Sequence, residues 1–331
     1  VTLADPSLPP DSVVREVLSR FGVAGARTTL LRRGDNTVYR VDLPDGGKRA
    51  LRLHTAARHA RSRLEAELVW LEYLSARLSG RVPGATRAET GELVVDVALL
   101  PSGKATLCSL LTWVEGEPLA EDVEFTREQA AWAGELLGRV HTLSGHFDPG
   151  GPLDRPTYDA AYFALCGREL RASLPPEGWP PERSDVLLEN LEIIGALLGD
   201  WTSLPGGYGL VHADAHPGNF VTQGGTLGLL DWDRCGFGPF LLDVAGVTLA
   251  LDEAERDAFL TSYSRVRPLP EGSREAVRAL RLLAATENLA FLARREHERP
   301  FVLGALLVLE DLAATWRREL PDVRTDGLGG R

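Results

Sequence analysis

The sequence predicts an α+β fold: a small lobe built on an antiparallel sheet, then a larger, mainly helical lobe. Three observations carry this. Segments 28–33, 37–43 and 49–54 are strand-like runs separated by Gly34-Asp35-Asn36 and Pro44-Asp45-Gly46-Gly47, the pattern of an antiparallel meander. From Thr126 onward the apolar residues recur mostly at helical spacing. The chain has 331 residues, 44% hydrophobic and 25% charged, which suits about two domains and a core needing neither disulfides nor structural metal.

The elements follow in order. Segment 11–21 reads as a short amphipathic helix ahead of the three strands. A helix over 57–78 sets Leu64, Leu68, Leu71 and Leu78 near one face, and strands at 93–99 and 105–114 complete a first lobe over 1–112. The second lobe runs over 113–320, and its helical part begins at Thr126-Arg127-Glu128-Gln129, where Thr and Gln three apart form a capping box. Ala133, Leu136, Leu137 and Val140 then face a core. Segment 152–181 is rich in proline and glycine and reads as loop with room for one short helix. A long helix over 185–201 carries the stripe Leu187, Leu191, Ile194, Leu198 and Trp201. Helices over 253–263, 273–296 and 301–320 precede a flexible tail at 321–331.

Charge narrows the partners. Thirty-six Lys and Arg stand against 47 Asp and Glu, a formal charge of -11. A nucleic-acid binder needs a basic face, so none is expected. The surplus suits a cationic substrate or a metal-chelated nucleotide, although many cytoplasmic proteins carry it for solubility. Cys108, Cys166 and Cys235 are odd in number and unpaired in spacing, so reduced thiols rather than disulfides or a thiolate zinc site are expected. Residues 1–10 lack a basic region followed by an apolar run, and the apolar run 301–309 is too short to span a bilayer. The expectation is a cytoplasmic protein with no membrane partner; no oligomeric state is assigned.

The chemistry gathers in 210–243. There Leu210-Val211-His212-Ala213-Asp214-Ala215-His216-Pro217-Gly218-Asn219-Phe220 is followed by a hairpin through Gln223-Gly224-Gly225 and by Leu229-Leu230-Asp231-Trp232-Asp233. Asp214 and Asn219 lie five apart on one loop, and the hairpin returns Asp231 toward that loop. A carboxylate and an amide oxygen facing each other suit Mg²⁺, which keeps waters and takes substrate phosphates as ligands. A second carboxylate can orient an attacking hydroxyl, which completes the parts phosphoryl transfer needs.

His212-x-Asp214-x-x-x-x-Asn219 followed by Asp231 resembles the catalytic loop and metal-binding Asp of kinase-fold enzymes. The fuller wording is similar to the aminoglycoside phosphotransferase and choline kinase group. The continuation Cys235-Gly236-Phe237-Gly238 and Leu242-Asp243-Val244-Ala245 most resembles its branch of homoserine-kinase-like enzymes and a bacterial stress-related Ser/Thr kinase. The resemblance implies a bilobal protein-kinase-like fold with ATP between the lobes. It makes Asp214 the catalytic residue, Asn219 and Asp231 the Mg²⁺ ligands, and His212 a structural loop residue. Asp233 is then expected near the metal and Asp243 bracing the loop.

The first lobe extends the resemblance. The segment containing Gly34, Asn36 and Thr37 resembles the phosphate-covering hairpin, which makes Asn36 a nucleotide contact. Arg52, in Arg49-Ala50-Leu51-Arg52-Leu53-His54, stands where the family usually carries a phosphate-binding Lys, and Glu67 matches its helix partner. Leu110-Leu111-Thr112-Trp113-Val114-Glu115-Gly116 resembles the hinge, so Thr112 and Val114 are expected at the adenine edge.

Plainer readings stand beside these. His216 could contact substrate, but shaping the loop before Pro217 is the better reading, and His141 near a helix end complements the dipole. Trp70, Trp132 and Trp201 read as core, and packing is the better reading for Trp113 and Trp232. Asp252, Glu253, Glu255 and Asp257 either line a cationic-substrate pocket or begin a solvated helix. Glu287 and Asn288 are candidates to face the cleft. The function expected is ATP-dependent phosphorylation of a small-molecule hydroxyl on an amino alcohol, amino acid or aminoglycoside-like acceptor. A protein Ser/Thr kinase comes next, and an inactive nucleotide-binding scaffold third.

Overall fold

The computed structural model describes residues 11–34, 36–54, 60–99, 104–119, 125–202 and 207–319. Its elements are α1 (Asp11–Arg20), β1 (Arg27–Arg33), β2 (Asn36–Asp42), β3 (Lys48–His54), α2 (Arg61–Leu78), β4 (Ala85–Thr86), β5 (Val95–Leu99), β6 (Lys104–Thr112) and β7 (Glu117–Pro118). There follow α3 (Arg127–Ser144), α4 (Ala160–Ser173), α5 (Pro181–Thr202), β8 (Tyr208–Val211), β9 (Phe220–Gln223), β10 (Thr226–Leu229) and β11 (Gly236–Pro239). The chain ends in α6 (Leu241–Thr248), α7 (Glu253–Val266), α8 (Ser273–Ala293) and α9 (Arg299–Glu319). The expected tail at 321–331, the expected helix start at 57–59 and Asp35 lie outside the described residues.

Two compact units form. One comprises Val1–Glu121, His146–Arg155 and Gly218–Asp233; the other comprises Asp122–Gly145, Pro156–Pro217 and Arg234–Arg331. In the first, strands run in the order β1-β2-β3-β6-β4, with β5 also paired to β6, and every pairing is antiparallel. Alternation sorts the faces. Tyr39 and Val41, Leu51 and Leu53, and Cys108 and Leu110 pack with Val13, Val14, Val17 and Leu18 of α1. The residues between them on β3, Arg52 and His54, are also buried, and Arg52 meets Glu67 of α2. The sheet therefore has an apolar face toward α1 and a polar, buried face toward α2.

The hairpin of β9 and β10 joins the same unit. Gly224 and Gly225 have φ of 55° and 80°, which a two-residue hairpin turn of this twist requires. Strand β9 also pairs with β7, through Glu117 with Thr222 and Pro118 with Val221. Arg81 clamps β10: its carbonyl accepts from Leu229 N–H at 2.8 Å and its Nε donates to the Leu227 carbonyl at 2.9 Å. Gly228 is required there, because a Cβ would sit 2.6 Å from Val114 Cγ1 and 3.2 Å from the Arg81 carbonyl oxygen.

In the second unit, the Thr126–Gln129 capping box forms as expected at the start of α3. Helices α3 and α7 pack closely because Gly134 and Gly138 leave room for the α7 backbone; a Cβ on Gly134 would overlap the Phe259 carbonyl oxygen. The proline-rich 152–181 stretch holds a longer helix than expected. Helix α4 has 14 residues, is N-capped by Asp159 and buries Phe163, Cys166, Gly167 and Leu170. The three cysteines are buried and none forms a disulfide, and burial pushes the Cys166 thiol up to about 11 and Cys108 to about 12. Trp70 and Trp232 are fully buried, whereas Trp132 is only half-buried. No helix among the described residues is long and apolar enough to cross a membrane.

Candidate active site

In the first unit, the hairpin controls Asn219 and Asp231. Phe220 pairs with Leu229, and one step outward the Leu230 N–H donates to the Asn219 carbonyl at 2.8 Å. This bond closes the hairpin's open end, so Asn219 and Asp231 emerge beside each other. Asn219 is buried; Asp231 is partly exposed, with Arg32 Nη1 at 3.4 Å from Oδ2. Asp231 has φ of 58°, in the left-handed region that a residue with a Cβ adopts only under local constraint. Amide and carboxylate oxygens are hard donors. Such a pair fits Mg²⁺, which binds through one or two carboxylates plus substrate phosphates and waters.

Arg52 sits at the centre of a second set in the same unit. Its Nη1 and Nη2 donate to Glu67 Oε1 and Oε2 at 2.7 and 3.1 Å, and Nη2 also donates to Asp233 Oδ1 at 2.6 Å. Burial alone would push the guanidinium pKa down, but Asp233 and Glu67 overcome this and hold it protonated. Burial pushes the Glu67 carboxyl up, against the pull of Arg52. The other Asp233 oxygen accepts from Asn36 Nδ2 at 2.5 Å. Asn36 Oδ1 accepts from His54 Nδ1 at 3.1 Å, and His54 Nε2 accepts from the Ser109 hydroxyl at 3.0 Å. Arg155 Nη2 donates to the Asp233 carbonyl at 2.5 Å. Asp233 is thus held from three sides, and Asn36 is locked by the relay behind it. Arg52 Nε is buried without a hydrogen-bond partner, a donor that an added oxygen would satisfy.

The expected hinge residues lie on and after β6. The Thr112 N–H donates to the Gly84 carbonyl and its hydroxyl accepts from the Gly84 N–H, both at 2.7 Å. Val114 is buried against Gly228.

In the second unit, Asp243 organises the loop that carries Asp214. Its carboxylate accepts from the His212 and Ala213 N–H groups, each at 2.7 Å, and from His141 Nε2 at 3.0 Å. Ala213 is held at φ 63°. The Asp214 N–H then donates to His212 Nδ1 at 3.2 Å, so His212 shapes the loop. Burial would raise the Asp243 carboxyl, but the hydrogen bonds from His141 Nε2 and the His212 N–H hold it below its ordinary range. Burial pushes His141 down despite Asp243, which favours neutral imidazole with its proton on Nε2; Nδ1 accepts from the Tyr263 hydroxyl at 2.8 Å. His141 is therefore not an exposed complement to a helix dipole; it is a fully buried support for Asp243.

Asp214 opens onto a pocket lined by Tyr158, Phe163, His216, Arg234, Glu287 and Asn288, among others. The pocket is open to solvent. Arg234 Nη1 donates to Asp214 Oδ1 at 2.8 Å and to Asn288 Oδ1 at 3.3 Å, while Nη2 pairs with Glu287. The Tyr162 hydroxyl donates to Glu287 Oε1 at 2.9 Å. Glu287 and Asn288 thus share a pocket with Asp214. The acids at 252–257 do not line it. Asp252 and Glu255 form the α7 capping box, which bears out the helix-start reading for that pair.

Sequence reasoning passed over Arg234, His54, Ser109 and Tyr162. Only His54 carried a local signal, since β-alternation puts it on the face of Arg52. The other three depend on partners 20 to 125 residues away.

Comparison with known proteins agrees with this architecture. A homoserine kinase of Neisseria meningitidis is 28% identical over 153 residues, covering 44% of this chain; the chain spans about half, 46%, of that relative's length. Two solved structures share the fold. A microcompartment-associated aminopropanol kinase superposes with a TM-score of 0.77 at 21% identity, covering 93% of this chain and 98% of the other. Amicoumacin kinase hAmiN, in complex with AMP-PNP, Ca²⁺ and Ami, gives 0.75 at 19%, covering 91% and 93%. The model of the phosphotransferase enzyme family matches residues 28–280, about three-quarters of the sequence, and the chain belongs to that family.

Proposed function

We propose that the protein is a kinase that transfers the γ-phosphate of ATP to a hydroxyl of a small molecule, with Mg²⁺ as the metal. The observation that supports this reading is the closed hairpin end, where the Leu230–Asn219 bond brings the backbones of Asn219 and Asp231 next to each other. Asn219 and Asp231 would hold the ion, whose charge would offset that of the transferring phosphate. Arg52 steadies phosphate oxygens, and Glu67 and Asp233 fix its orientation. Asn36 is held by the His54 relay near the same phosphates, and Thr112 and Val114 mark the adenine end. Asp214 accepts a hydrogen bond from the acceptor hydroxyl and orients its oxygen for attack; as the new P–O bond forms, the bond from the γ-phosphorus to the β-phosphate oxygen breaks, ADP leaves, and the hydroxyl proton passes to Asp214 or to the transferred phosphate. His212 and Asp243 keep the Asp214 backbone in place. Catalysis comes mainly from positioning and charge stabilisation.

The concave pocket beside Asp214 favours a small acceptor over a protein segment. Glu287 is already paired with Arg234 and Tyr162, so the choice of an amino alcohol, amino acid or aminoglycoside-like acceptor rests on the likeness to the aminopropanol and amicoumacin kinases. The test is incubation with γ-labelled ATP, Mg²⁺ and a cell extract split into small-molecule and macromolecular fractions. Label entering a small molecule is the expected result. Label entering protein would make this a Ser/Thr kinase. No transfer and no metal-dependent nucleotide binding would indicate an inactive scaffold.

A further inference from the structure

Residues 146–155 follow α3 in the sequence, yet they belong to the first unit, where they run along α2. The reaction above gives them no part. At one end the centroid of the Phe147 ring lies 4.8 Å from those of both Trp70 and Tyr73, and Trp70 is fully buried. At the other end Asp154 Oδ2 accepts from the Ser62 hydroxyl at 2.5 Å, and Asp154 Oδ1 stands 3.5 Å from Arg63 Nε. The contacts span about three turns of the helix, from Ser62 to Tyr73. An apolar anchor and a polar anchor thus fix the segment against α2.

Arg155 then connects α2 to Asp233. Its Nη1 donates to the Arg63 carbonyl at 3.2 Å and its Nη2 to the Asp233 carbonyl at 2.5 Å. In an α-helix the carbonyl of residue 63 is the acceptor for the N–H of residue 67. Arg155 therefore ties the turn that carries Glu67 to the backbone of Asp233. Glu67 and Asp233 are the two residues whose carboxylates hold Arg52. A planar guanidinium presents its donors in a fixed fork, so it sets a spacing as well as an attraction. One arginine fixes the backbones from which the other is oriented. Thr112 and Val114 are placed by other contacts, with Gly84 and Gly228.

We propose that residues 146–155 form a strap that positions the phosphate-binding set, with Arg155 as its positioning residue. The proposal rests on the kinase reading in one respect: nucleotide phosphates are what Arg52 meets. With Arg155 in place, Glu67 and Asp233 hold the Arg52 fork in one orientation. Without it their spacing is free to change, and the phosphate end of the nucleotide loses affinity while the adenine end keeps it.

Calorimetry on the full chain compares AMP-PNP with Mg²⁺ against adenosine, which has no phosphates. Arg155→Met keeps an apolar stem and removes both donors. It should weaken AMP-PNP by about ten-fold and leave adenosine within about two-fold. Arg155→Lys, which keeps the charge and a donor, should recover part of the loss. Arg87→Met breaks an ion pair to Glu72, further along α2, and should leave both ligands unchanged. If Arg155→Met does not fold, Ser62→Ala combined with Asp154→Asn loosens the same strap and should weaken AMP-PNP alone, by about three-fold. Unchanged AMP-PNP affinity, or an equal loss for adenosine, overturns the strap. A wild type that binds neither ligand removes the kinase reading instead. Amide exchange then judges the strap: faster exchange at 63–67 and 231–234 in Arg155→Met upholds it, and exchange as in wild type overturns it.

Discussion

Replacing Arg52 by Lys tests whether the guanidinium fork matters or only its charge. The change restores the residue type usual at the corresponding family position, so simple resemblance forecasts a neutral or favourable outcome. The geometry forecasts the opposite. Arg52 makes three short contacts, two to Glu67 and one to Asp233, from two nitrogens in one plane. A single ammonium reaches one oxygen of each carboxylate and gives up the second Glu67 bond. A net charge-assisted hydrogen bond is worth about 1.5–3 kcal/mol. Glu67 is 1% exposed, so water cannot replace what is lost. The expected loss is about 2–3 kcal/mol, tens-fold to about a hundred-fold in the folding equilibrium. Urea unfolding followed by circular dichroism and tryptophan emission measures it, with ATP affinity recorded alongside. Arg52→Lys with wild-type stability would refute the claim that bidentate geometry holds this set together.

Further predictions concern the second unit. Asp243→Asn puts an amide NH₂ where a carboxylate oxygen accepts a backbone N–H, and should cost about 1–3 kcal/mol and loosen the Asp214 loop, read by urea midpoint and by amide exchange at 212–214. The folded state holds His141 below its ordinary 6.5, so its contribution is full above pH 6.5 and is lost as pH falls through the lower folded value. Asp243, held below its ordinary 3.8, contributes above that value and loses its contribution as pH falls through the lower folded value. Stability should therefore fall with acid in two steps, and His141→Phe should remove the first; an unchanged profile counts against the buried network. Gly134→Ala should destabilise by about 1–3 kcal/mol through overlap with the Phe259 carbonyl, seen as a lower thermal midpoint.

Much of this was legible where the signal is local. The strand meander, the capping box at Thr126 and the hairpin at Gly224-Gly225 depend on neighbouring residues, and each appears within a residue or two of its expected place. Asn219 and Asp231 could be brought together on paper because a two-residue turn determines register. The full extent of α4 was hidden by flanking prolines, although Phe163, Cys166, Gly167 and Leu170 follow helical spacing. The role of His141 was not legible. A histidine near a helix end has the same local pattern whether it meets solvent or a carboxylate 102 residues away. Arg234 was opaque for the same reason: its partners Asp214, Glu287 and Asn288 come from a loop and a distant helix. The pairing of β9 with the two-residue β7 left no pattern to read.

The central claim is that Asp214 directs an acceptor hydroxyl toward ATP while other residues hold the nucleotide. The most direct measurement compares wild type with Asp214→Asn for label transfer from γ-labelled ATP and for Mg²⁺-dependent ATP binding, on the same preparations. The account predicts that the variant binds ATP within about three-fold of wild type, less than 1 kcal/mol, and transfers no label above background. Transfer at the wild-type rate would contradict it.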